Sequence, residues 1–400
     1  MTLREAPIRV VRIIARLNIG GPSIQAITLT RLLEPLGYRT RLIRGREGPD
    51  EGNMDYLAGE LEVTPTLLKD MRRNPGPRDL MALARLVWFL RTDRPQIVHT
   101  HAAKAGTLGR VAALVAFPRR SQRPTLIHTF HGHSLTGYFS GRTARVFLAI
   151  ERWLARRTDA LVAVSPEVRD DLVRLGVARD DRFVVIPLGF DLQEFLQDAE
   201  RPARRARFRS QLGIGEDEQV VTLVARLVPI KRVDRFLAVA CLLADRPGLR
   251  FVVVGDGELR DQLRASPEAV ALNHRLVWAG FRREMADVYF ASDVVVLTSD
   301  NEGTPVSLIE AQAAAVPVVG TDVGGVRSAV REGETGLVAR PDDVAGIAQS
   351  VDRLLRDPEL AARLARAGRE SVSRQFATDR LVEDLDHLYR GLLQARKEDG

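Results

Sequence analysis

DVVVLTSDNEGTPVSLIEAQAAAVPVVGTDVGG, residues 293–325, is the stretch that decides the fold. An apolar run at 293–299 is followed by a polar loop, a helix-forming segment and a second apolar run that begins at Val316. Proline is favoured at the first helical position, so Pro305 predicts a helix start with Thr304 as its N-cap. A strand, a loop, a helix and a strand in this order predict a βαβ unit of a parallel sheet.

The same alternation extends along the whole chain. Short runs rich in Val and Ile lie at 8–15, 96–100, 125–130, 160–165 and 183–187, and again at 220–225, 251–255, 275–280, 293–299 and 316–320. Buried parallel strands joined by helices are typical of doubly wound sheets. We therefore predict an α/β chain with two Rossmann-like domains, at 1–190 and 191–375, and a C-terminal helix at 376–400. The segment 188–219 between the two sets of runs is predicted to be a linker.

Charge is distributed unevenly between the two halves. The net charge is +7, yet residues 1–190 hold 30 Lys+Arg against 18 Asp+Glu. A basic half attracts an anionic acceptor, nucleic acid or an anionic membrane surface, unless its arginines are only scattered over a solvated surface. The segment 137–157 mixes apolar and basic residues at helical spacing, so contact with anionic lipid and packing on a sheet both stay open.

Composition favours a cytoplasmic protein. The single cysteine, Cys241, cannot form an internal disulfide. No run approaches the roughly 20 apolar residues of a membrane span, and the first residues lack a signal-peptide core. We expect a protein that is soluble or peripheral at the inner face of the membrane.

Two loops carry charged residues that suit a nucleotide ligand. Glu302 lies before the predicted helix and Glu310 lies within it, so both carboxylates can face one elongated ligand, although this spacing alone favours two surface residues. The backbone between Gly303 and Val306 directs amides and the positive helix end towards an anion. In LVARLVPIKRVDRFL, residues 223–237, two cations can converge on a diphosphate leaving group, unless they are solvated cations of a helix-initiating turn: Arg226 and Lys231.

Glycines follow two further strands. Gly20 and Gly21 allow close backbone approach in RLNIGGPSIQAI, which lacks the G-x-G-x-x-G spacing of a dinucleotide site. Gly255 ends the run at 251–255 and is predicted to form a turn near a donor ligand.

Five of the seven histidines cluster in VHTHAAKAG and HTFHGH: His99, His101, His128, His131 and His133. The H-x-H spacings at two strand ends could hold zinc, but no Cys or carboxylate completes a site nearby and parallel strands alternate their side-chain directions, so we predict no metal site. The pattern favours a polar floor for sugar hydroxyls. We expect His131 nearest the reacting centre, with three acceptor-side candidates: His101, Lys104 and His133.

Nine motifs occur in the order found in the retaining GT-B glycosyltransferases of family GT4, which this chain resembles over nearly its whole length. They are IGGP, HTFHGH, VSPEVRDDL, VIPLGFD, ARLVPIKRVD, VVVGDGEL, WAGFRREM, SDNEGTPVSLIEA and VVGTDVGG. The resemblance implies two Rossmann-like domains facing across a cleft, with C-terminal helices that cross back to the N-terminal domain. Many relatives have glycine before the arginine, where this chain has Ala225.

The resemblance also implies a role for each matching residue. Arg226 and Lys231 match the cations that hold the donor diphosphate. Glu310 matches the residue that binds the ribose, and Glu302 the one that binds the transferred sugar. The remaining matches contact sugar, phosphate or base: Gly20, Gly21, Gly303, Thr304, Pro305 and Val306 for sugar and phosphate, Phe281 and Arg282 for the base, and His131 near the sugar.

By the same resemblance, the chain transfers a sugar with retained configuration from a nucleotide sugar, with UDP favoured over GDP and no cofactor required. The acceptor is a saccharide or a lipid-linked molecule, as in bacterial surface-polysaccharide or glycolipid assembly, and nucleic acid is not a partner. Two alternatives stay open. One is an enzyme of the same fold that epimerises or hydrolyses a nucleotide sugar, and the other is a non-catalytic sugar-nucleotide-binding protein.

Overall fold

The computed structural model describes residues 6–48, 52–72, 75–132 and 141–398. The chain divides into two compact units. Unit 1 comprises Met1–Phe190 and Thr378–Gly400, and unit 2 comprises Asp191–Ala377. Each unit is built on one parallel sheet, which confirms the α/β prediction.

Unit 1 has a seven-stranded sheet in the order β3-β2-β1-β4-β5-β6-β7. Its strands are β1 (Ile8–Ile14), β2 (Tyr38–Arg44), β3 (Thr66–Leu67), β4 (Ile97–His101), β5 (Thr125–Phe130), β6 (Ala160–Ala163) and β7 (Phe183–Val185). Its helices are α1 (Gly21–Leu32), α2 (Asp55–Glu60), α3 (Arg78–Asp93), α4 (Ala103–Ala116), α5 (Gly141–Ala155), α6 (Pro166–Arg174) and α16 (Thr378–Glu398).

Helices cover both faces of this sheet because successive side chains of a strand point to opposite faces. In β1, Val11 and Ile13 pack with α3 and α4. Val10 packs with α1 and α16 on the other face. The C-terminal helix is therefore part of the core of unit 1.

Strand β2 lies outside the Val- and Ile-rich runs of the sequence. Its residues YRTRLIR place Arg39 and Arg41 in solvent while Leu42 and Ile43 are buried. The strand was not predicted, because arginines at its exposed positions interrupt the continuous apolar run that is typical of a buried parallel strand.

Unit 2 has a six-stranded sheet in the order β10-β9-β8-β11-β12-β13. Its strands are β8 (Gln219–Val224), β9 (Leu249–Val254), β10 (Leu276–Gly280), β11 (Val294–Leu297), β12 (Val318–Thr321) and β13 (Leu337–Ala339). Its helices are α7 (Arg201–Gln211), α8 (Val233–Leu242), α9 (Arg260–Arg264), α10 (Pro267–Leu272), α11 (Met285–Ala291), α12 (Val306–Ala313), α13 (Val326–Ala329), α14 (Val344–Arg356) and α15 (Pro358–Gln375).

The linker prediction for 188–219 was wrong for most of that segment, because residues from Asp191 onwards belong to unit 2 and include helix α7. Phe208 of this helix is buried in the core of unit 2. Its arginines resemble a solvated basic run in the sequence, but Arg207 pairs with Asp287 and Arg209 pairs with Asp293. Ion pairs with α11 and the residue before β11 thus attach the basic helix to the unit.

Among the described residues, no helix is both long enough and apolar enough to cross a membrane.

Candidate active site

The strand order of unit 2 reverses between β8 and β11, and ligands of doubly wound sheets bind at the carboxyl ends of strands at such a point. The loop after β8 ends in a single 3-10 turn, Pro229–Lys231, and the loop after β11 carries Glu302. The Nζ of Lys231 lies 2.5 Å from Oε1 of Glu302. Two residues that the sequence placed in separate loops therefore form one ion pair at the reversal point.

Glu302 is buried, and besides Lys231 it contacts Ser299 and the turn at Gly324 and Gly325. The Ser299 hydroxyl donates to the same Oε1 at 2.6 Å. The Glu302 carbonyl accepts from the Gly325 amide at 2.8 Å. Gly324 has a φ of +46°, and a Cβ there would lie 2.0 Å from the Glu302 carbonyl oxygen. The TDVGG turn after β12 thus fixes the backbone of Glu302, and only glycine fits at 324.

Helix α12 begins one residue later than predicted. Its N-cap is Pro305 and its first residue is Val306, so the prediction of Thr304 as the cap was wrong. The Thr304 hydroxyl is buried without a hydrogen-bond partner among the described residues. Within that same part of the chain, the amides of Gly303 and Thr304 also have no acceptor. These donors suit an anion or a sugar hydroxyl beside Glu302.

Arg226 lies in the loop after β8 with its side chain partly exposed. Across the described ranges, its guanidinium has neither a hydrogen bond nor an ion pair. A Cβ on Gly255, whose φ is +135°, would lie 1.9 Å from the Ala225 carbonyl oxygen. The glycine after β9 therefore lets two strand-end loops pack backbone to backbone, next to an uncommitted cation.

Glu310 lies on α12 with partial access to solvent. Its Oε2 accepts from the Tyr289 hydroxyl at 2.7 Å. Burial raises the pKa of Glu310 to about 7, while the bond from Tyr289 lowers it and the charge of Glu194 raises it further. The carboxyl of Glu310 therefore titrates near neutral pH. It is not a solvated residue of the helix surface, which was the alternative interpretation of its spacing from Glu302.

The strand-end segment after β10 carries one exposed aromatic ring. Phe281 follows Gly280, which has a φ of +70°, and its ring is exposed. The guanidinium of Arg282 lies over the Phe208 ring at 5.6 Å, and its Nε is buried without a partner in the described part of the chain. The Gly280 carbonyl accepts from the Gly255 amide at 2.9 Å, which places this segment next to the loop after β9.

Unit 1 has its own reversal of strand order, between β1 and β4. Gly20 is the N-cap of α1, with a φ of +147° and no side-chain cap. The amides of Gly20 and Gly21 have no acceptor in the ranges that the structure describes. This glycine turn thus leaves two donors at the carboxyl end of β1.

His101 ends β4 and is bonded to His131, with 3.0 Å between His101 Nδ1 and His131 Nε2. Burial lowers the pKa of His131 to about 3 and holds the pKa of His101 well below its usual range. Both rings are therefore neutral near pH 7, and one proton links them. Among the described residues, His101 Nε2 and His131 Nδ1 are buried without partners.

His99 and His128 belong to the core rather than to a floor for sugar hydroxyls. His99 bonds the Tyr389 hydroxyl at 2.6 Å, and Thr129 at 2.7 Å. His128 bonds Thr100 at 2.8 Å. Parallel strands alternate their side chains, so neighbouring histidines of one motif separate into different environments.

The other acceptor-side candidates have different placements. Lys104 forms an ion pair with Asp79, at 2.7 Å between Nζ and Oδ1. His133 lies outside the described residues.

Sequence reasoning missed the residues that hold the two loops of unit 2 together. Asp300 pairs with Arg235 at 2.7 Å and with Arg232 at 3.2 Å, and the Thr298 hydroxyl donates to the Arg232 carbonyl at 2.9 Å. Arg235 Nη1 also donates to the Thr298 carbonyl at 2.5 Å. The sequence shows the motif KRVDR before a helix, but Asp300, the partner of Arg235, lies 65 residues further along the chain.

Two family models match the chain. The model described as Glycosyltransferase Family 4 matches residues 19–194, and the model described as Glycosyl transferases group 1 matches residues 204–371.

Curated relatives match over most of their length. A D-inositol 3-phosphate glycosyltransferase of Xylanimonas cellulosilytica is 30% identical over 396 residues, which are 93% of this chain and 92% of that protein. A UDP-Gal:alpha-D-GlcNAc-diphosphoundecaprenol alpha-1,3-galactosyltransferase of Escherichia coli is 27% identical over 84% of this chain and 85% of that protein.

Solved structures share the fold. Anabaena Alr3699/HepE, in complex with UDP, aligns with a TM-score of 0.80 at 20% identity, over 96% of this chain and 100% of that one. Sucrose-phosphate synthase from Thermosynechococcus elongatus aligns with a TM-score of 0.79 at 22% identity, over 97% and 100%. The GT-B prediction is thereby confirmed, and with the family matches it follows that this chain belongs to the GT4 family of glycosyltransferases.

Proposed function

We propose that this glycosyltransferase moves a sugar from a UDP-sugar to a hydroxyl of a saccharide or lipid-linked acceptor, with retained configuration. The observation that carries the proposal is the Lys231–Glu302 pair at the reversal of the unit 2 sheet, beside the amides of Gly303 and Thr304, which have no acceptor among the described residues. A UDP complex of a structural neighbour and the UDP-Gal and diphosphoundecaprenol in the name of the E. coli relative support this donor and acceptor class.

Two cations are assigned to the donor diphosphate. Lys231 is a compact charge that can contact one phosphate oxygen, and Arg226, whose guanidinium has no partner in the described part of the chain, can bind two. As the bond between the sugar and the diphosphate breaks, negative charge grows on the leaving oxygen. Cations fixed there stabilise the transition state more than the ground state.

Glu302 is assigned to the transferred sugar. Lys231 and Ser299 both bond its Oε1, so among the described contacts its Oε2 is left to accept from a sugar hydroxyl. The amides of Gly303 and Thr304 and the N-terminal residues of α12, Pro305 and Val306, complete this contact surface.

The nucleoside is assigned to the other strand-end loops. Glu310 accepts from the ribose hydroxyls, and the exposed Phe281 ring with Arg282 contacts the base. Gly255 keeps the loop after β9 close to the phosphates.

In unit 1, His131 is assigned to the sugar near the reacting carbon, and the amides of Gly20 and Gly21 to the donor. His101 is fully buried, so we assign it to holding the His131 ring rather than to direct acceptor contact. Lys104 and His133 are assigned to the acceptor side.

In the reaction, the acceptor oxygen forms a bond to the anomeric carbon on the face from which the diphosphate leaves. The acceptor proton passes to a departing phosphate oxygen, so UDP and the glycoside are the products. No metal or other cofactor is part of the proposal. We place the protein in the cytoplasm, peripheral at the inner face of the membrane, with no nucleic acid partner.

A ligand screen tests this function. UDP and UDP-sugars are expected to raise the melting temperature of the full chain at concentrations where GDP and ADP do not, because only a ligand of the folded state stabilises it. NMR of the product formed with the stabilising donor should show the anomeric configuration of that donor. A larger shift with GDP, or an inverted product, would reject the donor or the stereochemistry.

A further inference from the structure

Large apolar side chains are exposed on three helices of unit 1. Helix α3 exposes Leu80 (73%), Trp88 (60%) and Met81 (49%). Val115 of α4 and two residues of α5, Val146 and Trp153, are also exposed. Soluble proteins bury most of their tryptophan surface, yet two of the three tryptophans of this chain lie here in solvent.

The exposed residues of α3 form one stripe. Ala82, Leu86 and Leu90 pack into the core on one side of the helix. Leu80 and Trp88 lie two turns apart on the opposite side, with Met81 adjacent. The stripe therefore faces away from the sheet.

The three helices are neighbours. Helix α3 packs on α4, and α4 packs on α5. The Arg110 guanidinium of α4 forms a buried ion pair with Glu151 of α5, at 2.7 Å. The exposed apolar residues thus belong to one layer of helices rather than to scattered loops.

This layer is strongly cationic. Residues 71–155 contain 14 Lys+Arg and three acids, Asp79, Asp93 and Glu151. Each acid is neutralised by a cation, Lys104 for Asp79, Arg41 for Asp93 and Arg110 for Glu151.

Several cations of the layer remain unmatched. No carboxylate in the described ranges pairs with Arg78, Arg91, Arg119 or Arg145. The layer therefore combines an apolar stripe with unneutralised arginines.

We propose that the α3–α5 layer is the surface by which this protein lies on an anionic lipid bilayer. Tryptophan partitions to the boundary between lipid and water, and arginine extends its charge to lipid phosphates while its stem covers apolar surface. Electrostatic attraction holds such a face on an anionic leaflet. From the sequence, only the segment 137–157 was a candidate for contact with anionic lipid. The surface proposed here also includes α3, which contributes the largest apolar exposure.

This inference deepens the proposed function and rests on its lipid-linked acceptor. The Lys104–Asp79 pair joins the first turns of α3 and α4. Helix α4 starts two residues after β4 ends at His101. The leading end of the stripe is therefore close to the carboxyl edge of the unit 1 sheet, where an acceptor rising from a bilayer would meet the chain.

Co-sedimentation with vesicles tests the proposal on the full chain. We expect binding to phosphatidylcholine vesicles that contain phosphatidylglycerol, little binding to pure phosphatidylcholine, and release by salt. The triple variant Leu80→Ser, Met81→Ser, Trp88→Ser should bind the anionic vesicles at least about tenfold more weakly. A blue shift of tryptophan fluorescence on binding should shrink with it.

A matched control removes equally exposed apolar residues elsewhere. Leu242→Ser with Val270→Ser, exposed by 59% and 67% in unit 2, should bind vesicles as the unaltered chain does. The stabilisation by UDP should be the same in all three proteins, which also shows that the triple variant folds. Loss of UDP stabilisation in the unaltered chain would reject the proposed donor and leave the vesicle result to stand by itself.

Three results would overturn the inference. One is equal binding to neutral and anionic vesicles. Another is a triple variant that binds as well as the unaltered chain. The third is self-association of the unaltered chain that the triple variant loses, since the stripe would then cover a second copy of this protein.

Discussion

At the level of single residues, we propose that Glu310 links nucleotide recognition to pH. Its folded-state pKa of about 7 lies above the ordinary value of 4.5, chiefly because of burial. Between these two values the folded chain holds a proton that the unfolded chain has released. Stability therefore falls as pH rises from 4.5 to about 7, by at most about 3 kcal/mol for this group.

Glu310→Gln removes this titration while its amide oxygen can still accept from Tyr289. We expect the variant to melt at a higher temperature than the parent near pH 8, and at the same temperature near pH 4.5. Its UDP affinity should be lower and should lose the part of the rise between about pH 6 and 8 that ionisation of Glu310 supplies. Calorimetry and thermal melts over this range measure both effects.

The exposed Glu359→Gln in α15 serves as the control and should match the parent throughout. The phosphate of UDP also titrates in this range, but identically with every variant. If Glu310→Gln kept the full pH dependence of UDP affinity, the ribose assignment would fail.

Candidate site residues could be predicted from the sequence where a motif lies at the end of a predicted strand. Lys231 and Glu302 are examples, since both follow buried strands and meet at the reversal of the sheet. The cap at Thr304 could not be predicted, because Pro305 takes a φ of −81° and a ψ of 77° outside the helix. The burial of His99 could not be predicted either, since its partner Tyr389 is 290 residues away.

At the level of elements, ion pairs and hydrogen bonds link the loops after β8 and β11. Arg235 bonds the Thr298 carbonyl and the Asp300 carboxylate, and so holds the base of α8 to the end of β11. We expect the distance between Lys231 and Glu302 to depend on this connection. Small displacements of catalytic groups lower rates steeply.

Arg235→Met keeps an apolar stem in the buried space but removes both bonds. We expect kcat for sugar transfer to fall about tenfold or more, with a smaller change in KM for the donor. Steady-state UDP release measures this.

Arg246→Met is the control, because Arg246 makes a comparable pair with Asp352 on the other side of unit 2. It should reduce the melting temperature without lowering kcat. Equal losses of kcat in both variants would show that general destabilisation, and not loop position, explains the effect.

Elements with continuous apolar sequence were predictable, and amphipathic or arginine-rich ones were not. Strands β8 and β9 lie within two residues of the predicted runs. Strand β2 and helix α7 were missed because their arginines are satisfied by solvent or by distant carboxylates, which a local pattern does not contain.

At the level of the whole molecule, the residues that we assign to the donor diphosphate and the basic layer of helices belong to different units. Unit 2 holds the Lys231–Glu302 pair and the carboxyl of Glu310, while the basic layer of α3–α5 belongs to unit 1. The terminal helix α16 returns to unit 1, where the Tyr389 hydroxyl bonds both His99 and Arg12. The two sheets could be predicted from the repeated strand pattern in the sequence. The exposure of Trp88 could not, because it depends on which side of α3 packs on the sheet.

The central claim is that Lys231 stabilises the diphosphate as the sugar departs. The direct measurement is kcat for UDP release from the preferred UDP-sugar by Lys231→Ala, with Lys397→Ala as a matched exposed lysine in α16. We predict a loss on the order of 100-fold for Lys231→Ala and none for Lys397→Ala. A Lys231→Ala enzyme that keeps the parent kcat would contradict the account.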